Sequence, residues 1–550
     1  MCFVRTLIRI TALACAVFLM LPAGDSAACT TIMVGKDASD CGSVLMSSSC
    51  DGNQMGYVHI MREQTYPDPE RIPMQRNGGE TGAYLPRTEA TCRAFILGAG
   101  RSTEALGGMN EHGVSIGIEF IPMRPELDST QGIVGPYSNH WTTSLIANGL
   151  MRAESAREAI AVIGAMVEEY GFLYTWGGNA GVALPIADPE EAWLMEIFGP
   201  EEGWTAESDS LGGVWCAQRV PDDGVGLSAN RSRIGEVDLD NEDEFMASPN
   251  IHSLAERLDF WEEGEPFLWN EVYGDPGGRG NSMREWRVFS LAAPSLDLKD
   301  PVDPVPEAYP FSVTPDEPIT MEQLFAMMRD GYEGTEYDVT EAEGFQADGE
   351  KSPLARPWGP PELFELVDVE PERAIATPTT NYLFTAQLRS WLPDPIGNVL
   401  WLAPGPAHSS GFAPIYAGAN ALPASWDGPA DFDAINRGQV HWNYRLVSNL
   451  VTNLNYQEAI GDVREVIESA EEAFLARQAD VDEEALRRLE DEGRESAEAW
   501  LTEYTRQCLE NTAHGYDELV DYLMFQYLYD RPDIAPMAPP RIEAPDSILP

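Results

Sequence analysis

Cys29 is the residue of this sequence whose position most clearly predicts chemistry. It follows the small residues Ser26, Ala27 and Ala28, which end a segment typical of a secretory signal. Cleavage after Ala28 would place the thiol and a free α-amino group on the same residue. A thiol is a weak nucleophile until a base removes its proton, and an α-amino group has a pKa of about 7.7–8.0. The pattern therefore predicts a cysteine nucleophile that uses its own amine as the base.

Two other roles for Cys29 stay open on this context. The residue could be structural, as one half of a disulfide. It could also carry a lipid, because a cysteine directly after a signal peptide is how bacterial lipoproteins begin. Against lipidation, Ser26 stands where lipoprotein signals usually carry Leu, and Asp25 interrupts the apolar run. A lipid would block both the thiol and the amine, and the chain would then be an anchored binding protein without catalysis.

The first 28 residues predict export. Arg5 and Arg9 precede an apolar run over residues 10–21, which is too short to cross a bilayer comfortably. No later stretch of the sequence is long and apolar enough to be a transmembrane helix. We therefore expect a cleaved signal peptide over residues 1–28, no integral membrane span, and a mature protein in the periplasm or the medium.

Composition excludes some partners and leaves others open. The formal net charge of −55 opposes binding to nucleic acid, and a hydrophobic content of 43% over 550 residues is typical of a globular protein with a large core. Six cysteines follow the predicted signal, at a spacing that fits no zinc ribbon: Cys29, Cys41, Cys50, Cys92, Cys216 and Cys508. With Cys29 set aside, an oxidising compartment could hold two disulfides and one thiol among the other five.

The elements that position Cys29 begin directly after it. Residues 30–34 and 43–47 are β-like runs separated by a turn-rich segment, which predicts a hairpin at the mature N-terminus. The remaining pattern predicts strands at residues 94–97, 114–120, 192–197 and 287–291, and helices at residues 155–170 and 251–261.

The C-terminal part of the sequence has a different residue pattern. Over residues 456–529 apolar residues recur at helical spacing among acidic ones, which predicts two or three amphipathic helices. We favour packing against the main domain over a dimerisation surface, so a homo-oligomer stays an open alternative. The sequence thus divides into a signal peptide (1–28), a catalytic domain (29–450), a helical extension (451–530) and a proline-rich tail (531–550) that we expect to be extended or mobile.

An ordered series of sequence blocks resembles a known family. Residues 29–39, 42–43 and 48–51 are similar to the opening of peptidase family C69, the N-terminal-cysteine dipeptidases. Blocks at 108–114, 187–193, 215–221, 229–234, 284–287, 328–335 and 387–389 resemble later family blocks in the expected order. The resemblance spans about residues 29–420. It implies the α+β N-terminal-nucleophile hydrolase fold of the bile-salt and penicillin V amidases, an αββα sandwich of two antiparallel sheets between helical layers.

The same resemblance implies roles for five residues. Cys29 would be the nucleophile, and Asp51 would hold and orient its amine. Asn230 matches an oxyanion-hole amide, and Asn110 falls in the block that supplies a second active-site amide. Arg284 matches a polar position near the thiol.

The predicted function is hydrolysis of short peptides through a thioester, without a cofactor or metal. The family resemblance implies that these peptides are dipeptides. An amidase or acylase acting on a non-peptide amide is the alternative, because the same site would serve it equally well. One departure stands out: Ser48 occupies the position, three before Asp51, where related enzymes often have an Arg. Loss of that positive charge removes a group that could lower the thiol pKa.

Overall fold

The computed structural model describes residues 29–52, 54–101, 104–174, 178–275, 277–301, 309–429, 433–528 and 537–545. The predicted signal peptide lies outside the described residues, as do the ends of the predicted tail. The fold is an α+β sandwich in which two antiparallel sheets lie face to face between layers of helices.

The strands of the described residues are short and mostly buried. In chain order they are β1 (Thr30–Val34), β2 (Val44–Asp51), β3 (Gly56–Met61), β4 (Gln64–Thr65), β5 (Pro73–Arg76), β6 (Gly79–Tyr84), β7 (Ala90–Thr91), β8 (Ala94–Ala99), β9 (Gly107–Asn110), β10 (Ser115–Ile116), β11 (Glu119–Ile121), β12 (Gly181–Ala187), β13 (Ala192–Phe198), β14 (Val214–Val220), β15 (Val225–Ser228), β16 (Phe245–Ala247), β17 (Ser312–Val313), β18 (Gln346–Ala347), β19 (Glu350–Lys351), β20 (Thr380–Leu388), β21 (Asn398–Ala403) and β22 (Ala413–Tyr416).

Two large sheets form the centre of the described chain. The first has the order β17-β15-β1-β2-β20-β21-β22, and the second has the order β16-β14-β13-β12-β10-β9-β8-β3 with β11 paired to β12. The sheets approach closely at Gly117, between β10 and β11, where an added Cβ would lie 3.0 Å from Ser48 Oγ of β2. The face of β2 that carries Ser48 therefore points into the space between the sheets.

Helices cover both outer faces. In chain order the described helices are α1 (Leu145–Arg152), α2 (Ala156–Tyr170), α3 (Ile251–Arg257), α4 (Trp269–Val272), α5 (Arg279–Ala292), α6 (Met321–Met328), α7 (Pro361–Leu366), α8 (Asp394–Gly397), α9 (Val440–Asn453), α10 (Tyr456–Glu492) and α11 (Arg494–Leu528). Helices α1 to α3 pack on the second sheet, whereas α5, α6, α10 and α11 pack on the first. None of the helices formed by the described residues is long and apolar enough to cross a membrane.

Most of the elements expected from periodicity are present. The predicted hairpin is β1 and β2, the segment 155–170 is α2, and residues 192–197 lie in β13. Helix α2 begins where Ser155 Oγ accepts a hydrogen bond from Glu158 N, and it ends at Gly171, whose φ of 76° favours glycine.

The strand predicted at residues 287–291 is wrong, because this segment belongs to helix α5. Val288 and Phe289 are residues of types that are enriched in strands. The buried residues of α5 in fact recur at helical spacing, but two of them, Arg284 and Glu285, are charged. Buried charges therefore hid the helical period from a pattern of apolar residues alone.

The C-terminal helices are part of the same core. Helices α10 and α11 are joined at Gly493, whose φ of 94° lies in the left-handed region, and both contact β22. The predicted boundary between residues 450 and 451 falls inside α9. Residues 537–545 form neither helix nor strand and lie against α11, where Asn511 Nδ2 donates to the carbonyl of Glu543 at 2.9 Å.

We expect Glu471→Ala to lower the free energy of unfolding by about 3–5 kcal/mol, because it leaves a buried guanidinium without its charged partner. Glu471 of α10 pairs with Arg329 at the end of α6, both side chains are 4% exposed, and Glu471 Oε1 also accepts from Phe412 N at 2.8 Å. Chemical denaturation measures the loss. The exposed neighbour Glu472→Ala is the control and should change stability little. Equal stabilities of the two variants would contradict a buried link between α10 and the sheet layer.

Candidate active site

Three neighbouring strands bring the candidate residues to one end of the first sheet. Strand β1 lies between β15 and β2, with Thr31 opposite Ser228 on one side and Thr30 opposite Ser49 on the other. Continuing both registers by one or two residues places Cys29 between positions 230 and 50. Cys29 thus lies at the edge of the first sheet where strands β15 and β2 end.

The Cys29 side chain is buried, with 1% of the residue exposed. A hydrogen bond with the Cys50 thiol, together with burial, raises its pKa well above the ordinary value, and the hydrogen bond from the Asp51 backbone opposes this shift only in part. The thiol of this arrangement is therefore protonated at neutral pH. Chemistry at Cys29 needs a base that removes this proton as attack proceeds.

Arg284 of α5 joins the candidate residues. Its Nη1 donates to the Cys29 carbonyl at 2.5 Å and to Asn230 Oδ1 at 3.1 Å, and its Nη2 donates to the Ala229 carbonyl at 3.0 Å. The residue is 1% exposed. Burial, with the nearby positive charge of Arg373, lowers the pKa of Arg284 to about 10, so the guanidinium stays charged at neutral pH. It fixes the backbone of the first strand relative to the segment after β15.

Asn230 is held in a backbone conformation that few side chains accept. Its φ of 60° lies in the left-handed region, where Asn is enriched among non-glycine residues. Its Oδ1 accepts both Arg284 contacts, and its Nδ2 donates to the Phe120 carbonyl at 3.0 Å. The side-chain amide is therefore oriented from both ends, and one Nδ2 hydrogen is left for a further acceptor.

Asp51 ends β2 next to the candidate nucleophile. Its Oδ1 accepts from Thr380 Oγ1 at 2.6 Å, and its Oδ2 pairs with Arg373. Burial raises the pKa of the carboxyl, and the charge of Arg373 opposes that rise. The structure thus brings together Cys29, Asp51, Asn230 and Arg284.

Asn110 does not join them in a form that fits its predicted role. Its Nδ2 donates to the carbonyls of Leu150 at 2.8 Å and Ala153 at 2.7 Å, and its Oδ1 accepts from the backbone of His112 and Val114, both at 3.0 Å. Both amide hydrogens are already used, so none is left for a substrate oxygen. Asn110 shapes the turn after β9 and ties it to α1, and its expected active-site role stays a prediction.

Glu119 is a site residue that the sequence interpretation missed. It is fully buried in β11, and its Oε2 accepts from the backbone of Asn230 at 3.2 Å. Burial raises the pKa of its carboxyl, and the hydrogen bond from the Asn230 backbone opposes this rise only in part. A single acid within the apolar run of residues 114–121 was the available signal. Its carboxyl group supports the loop that carries Asn230.

We expect Glu119→Gln to become more stabilising as pH rises. A carboxyl whose pKa is raised in the fold contributes its full stability below the unfolded value of about 4.3 and loses it as pH rises through the folded value. The amide side chain of the variant keeps an oxygen that can accept from the Asn230 backbone, but it never ionises. The free energy of unfolding of the variant minus that of the wild type should therefore be about 1–3 kcal/mol higher at pH 8 than at pH 5. Denaturant unfolding at both values measures the change. The exposed Glu126→Gln should show no such trend, and a pH-independent difference for Glu119→Gln would contradict the assignment.

All six cysteines from Cys29 onward are described, and all are free thiols. The two disulfides that composition allowed are absent from this structure. Ser48, at the position where related enzymes often have an Arg, accepts a hydrogen bond from Thr31 Oγ1 at 2.9 Å. A neutral pair thus occupies the inner face of β1 and β2 beside Cys29.

The profile of peptidase family C69 matches residues 28–469 of this chain. The chain belongs to peptidase family C69. The match begins at the residue before Cys29 and runs into α10, so it includes every strand of both large sheets and all of the site residues described above. The cluster at the end of β1 therefore lies within a peptidase domain.

Curated relatives cover most of the chain at low identity. Dipeptidase A of Lactobacillus helveticus is 23% identical over 462 residues, which are 80% of this chain and 85% of that protein. A probable dipeptidase of Salmonella dublin is 26% identical and covers 72% of this chain and 83% of its own length. The solved mutant conjugated bile acid hydrolase of Clostridium perfringens is 12% identical, its alignment covers 46% of this chain and 64% of that chain, and the TM-score is 0.21.

Proposed function

We propose that this member of peptidase family C69 is an exported cysteine dipeptidase in which removal of residues 1–28 makes Cys29 the N-terminal nucleophile. The observation that carries the proposal is the contact of Arg284 with both the Cys29 carbonyl and the Asn230 side chain. One buried cation thereby sets the position of a thiol relative to an oriented amide. That is the arrangement that acyl transfer requires.

In the proposed acylation step, the Cys29 sulfur attacks the carbonyl carbon of the scissile amide. The raised pKa of the thiol means that a base has to accept its proton, and the α-amino group of Cys29 lies within the same residue. The amine then gives this proton to the leaving amine of the substrate. The products of the step are a thioester on Cys29 and a free amino acid.

Asn230 is proposed to stabilise the negative oxygen of the tetrahedral intermediate. Its remaining Nδ2 hydrogen is the donor, since the other hydrogen is bound by the Phe120 carbonyl. Deleting one oxyanion donor costs about 2.7–4 kcal/mol in comparable sites. Water, activated by the same amine, then hydrolyses the thioester and restores the thiol.

Dipeptides are the proposed substrates because the curated relatives from Lactobacillus helveticus and Salmonella dublin carry the names dipeptidase A and probable dipeptidase. No step of the proposed mechanism uses a cofactor. The proposed location, in the periplasm or the medium, rests on the signal-like composition of residues 1–28.

The direct test is N-terminal sequencing and intact mass of the exported protein, with a dipeptide-hydrolysis assay before and after treatment with iodoacetamide. We expect a free N-terminal Cys29, and we expect alkylation at Cys29 to abolish turnover. A diacylglyceryl mass on Cys29 would replace the proposal with the anchored binding protein. Turnover that survives complete alkylation of Cys29 would exclude the thioester mechanism, and turnover restricted to non-peptide amides would replace the dipeptidase with an amidase.

A further inference from the structure

The register of β1 and β2, continued by one residue beyond the start of β1, sets Cys50 across from Cys29. The register of β1 and β2 pairs Thr31 with Ser48 and Thr30 with Ser49, so the next pair in the series is Cys29 with Cys50. Opposed residues of antiparallel strands have Cα atoms about 4.5–5.5 Å apart. A disulfide needs Cα atoms about 4.4–6.8 Å apart, a range that includes the spacing of opposed residues.

The two thiols also point in the same direction. Side chains alternate along a strand, so Cys29 and Cys50 share a face with Thr31 and Ser48. That face is shown by contact, because Thr31 Oγ1 donates to Ser48 Oγ at 2.9 Å and Ser48 lies against Gly117 of the second sheet. Asn381 Nδ2 donates to Cys50 Sγ at 3.7 Å, which holds the Cys50 side chain on this face of β2.

We propose that Cys50 is the partner of Cys29 in a reversible intramolecular disulfide that inactivates the enzyme by occupying its nucleophile. Both residues are free thiols in this structure. The inference rests on the proposed function only in that Cys29 is taken as the nucleophile. The disulfide itself requires nothing of the substrate.

The chemistry balances with a peroxide as the oxidant. The Cys29 sulfur attacks one peroxide oxygen, the O–O bond breaks, and a sulfenic acid and one molecule of water form. The Cys50 sulfur then displaces this hydroxyl from Cys29, so that a second molecule of water leaves and the S–S bond forms. Two thiols lose two electrons and two protons in total. A dithiol reductant reverses the reaction by thiol–disulfide exchange.

The disulfide has two consequences for the site. It removes the nucleophile, so peptide hydrolysis stops while the bond exists. It also protects the Cys29 sulfur from oxidation to sulfinic and sulfonic acids, which thiols do not reverse. In an oxidising compartment, where disulfides persist, the fraction of active enzyme would follow the supply of reductant.

The experiment treats the reduced, processed full-length protein with increasing hydrogen peroxide and then with dithiothreitol. Peptide mapping under non-reducing conditions identifies the linked cysteines, and dipeptide hydrolysis is measured in parallel. Cys50→Ser removes the partner sulfur. Cys41→Ser is the matched control, because Cys41 is also a free thiol but bonds to the hydroxyls of Ser39 and Ser43 in the turn before β2.

We expect a peptide pair joined through Cys29 and Cys50 in the wild type and in Cys41→Ser, with loss of activity that dithiothreitol reverses. In Cys50→Ser the same peroxide treatment should lower the activity relative to that of the untreated variant, and dithiothreitol should not restore it. Cys29 should then carry sulfinic or sulfonic acid. Absence of the linked peptides in the oxidised wild type would overturn the proposal, and so would full recovery of Cys50→Ser. Peptide mapping detects the disulfide without any turnover. A protein that forms the disulfide but hydrolyses no dipeptide would therefore contradict the proposed function and leave the disulfide proposal standing.

Discussion

Replacing Cys29 by Ala is expected to lower kcat/KM for dipeptide hydrolysis by about 10⁴-fold or more, since removal of a covalent nucleophile eliminates the thioester route. The thiol is almost completely buried, and the backbone of Cys29 is held by Arg284 through its carbonyl, which Ala keeps. The fold should therefore persist while the chemistry is lost. Steady-state kinetics of the processed variant measure the effect.

The control for this change is Cys41→Ala, which removes a half-buried thiol from the turn before β2. It should leave kcat/KM within a few-fold of the wild-type value. N-terminal sequencing should show that both variants are cleaved after residue 28. A cleaved, folded Cys29→Ala protein with unchanged turnover would exclude Cys29 as the nucleophile.

Arg284→Met should impair both stability and catalysis. Methionine has a similar length but no donors, so the carbonyls of Cys29 and Ala229 and the Oδ1 of Asn230 all lose a buried partner. Removing one member of a buried charged network costs about 3–5 kcal/mol. Release of the Asn230 side chain should add a loss of about 10²–10³-fold in kcat, the usual effect of losing one oxyanion donor.

Arg279→Met on the same helix is the matched control for Arg284→Met. Arg279 pairs with Glu372 at 2.7 Å, but both side chains are about one quarter exposed, so the pair should contribute no more than about 1 kcal/mol. Urea unfolding and steady-state kinetics on both variants separate the two positions. If Arg284→Met and Arg279→Met prove equally stable and equally active, Arg284 does not organise the site.

Short-range patterns were sufficient for the elements that carry Cys29. Two β-like runs around a turn-rich segment predicted the β1–β2 hairpin, and apolar residues at helical spacing predicted α2. The long helices α10 and α11 were expected for the same reason. Each of these signals lies within one element, where local sequence and burial agree.

The segment around Arg284 shows where such patterns stop. Helix α5 buries two charged side chains, and their cost is offset by partners far along the chain: Cys29 is 255 residues from Arg284, and Arg231 is 54 residues from Glu285. A pattern of apolar residues gives no sign of a buried charged side chain that is stabilised by residues distant in the sequence. The helix was therefore mistaken for a strand.

The sequence by itself determined the candidate nucleophile, the hairpin that begins at it, the C-terminal helices and the family. Only the tertiary structure decided which polar side chains surround the thiol. It placed Glu119 under Asn230, committed both amide hydrogens of Asn110 to backbone carbonyls, and set Cys50 opposite Cys29. The physical reason is that each polar side chain has only a few donors and acceptors. Which groups they bind depends on strand register and sheet packing between segments that are distant in the chain.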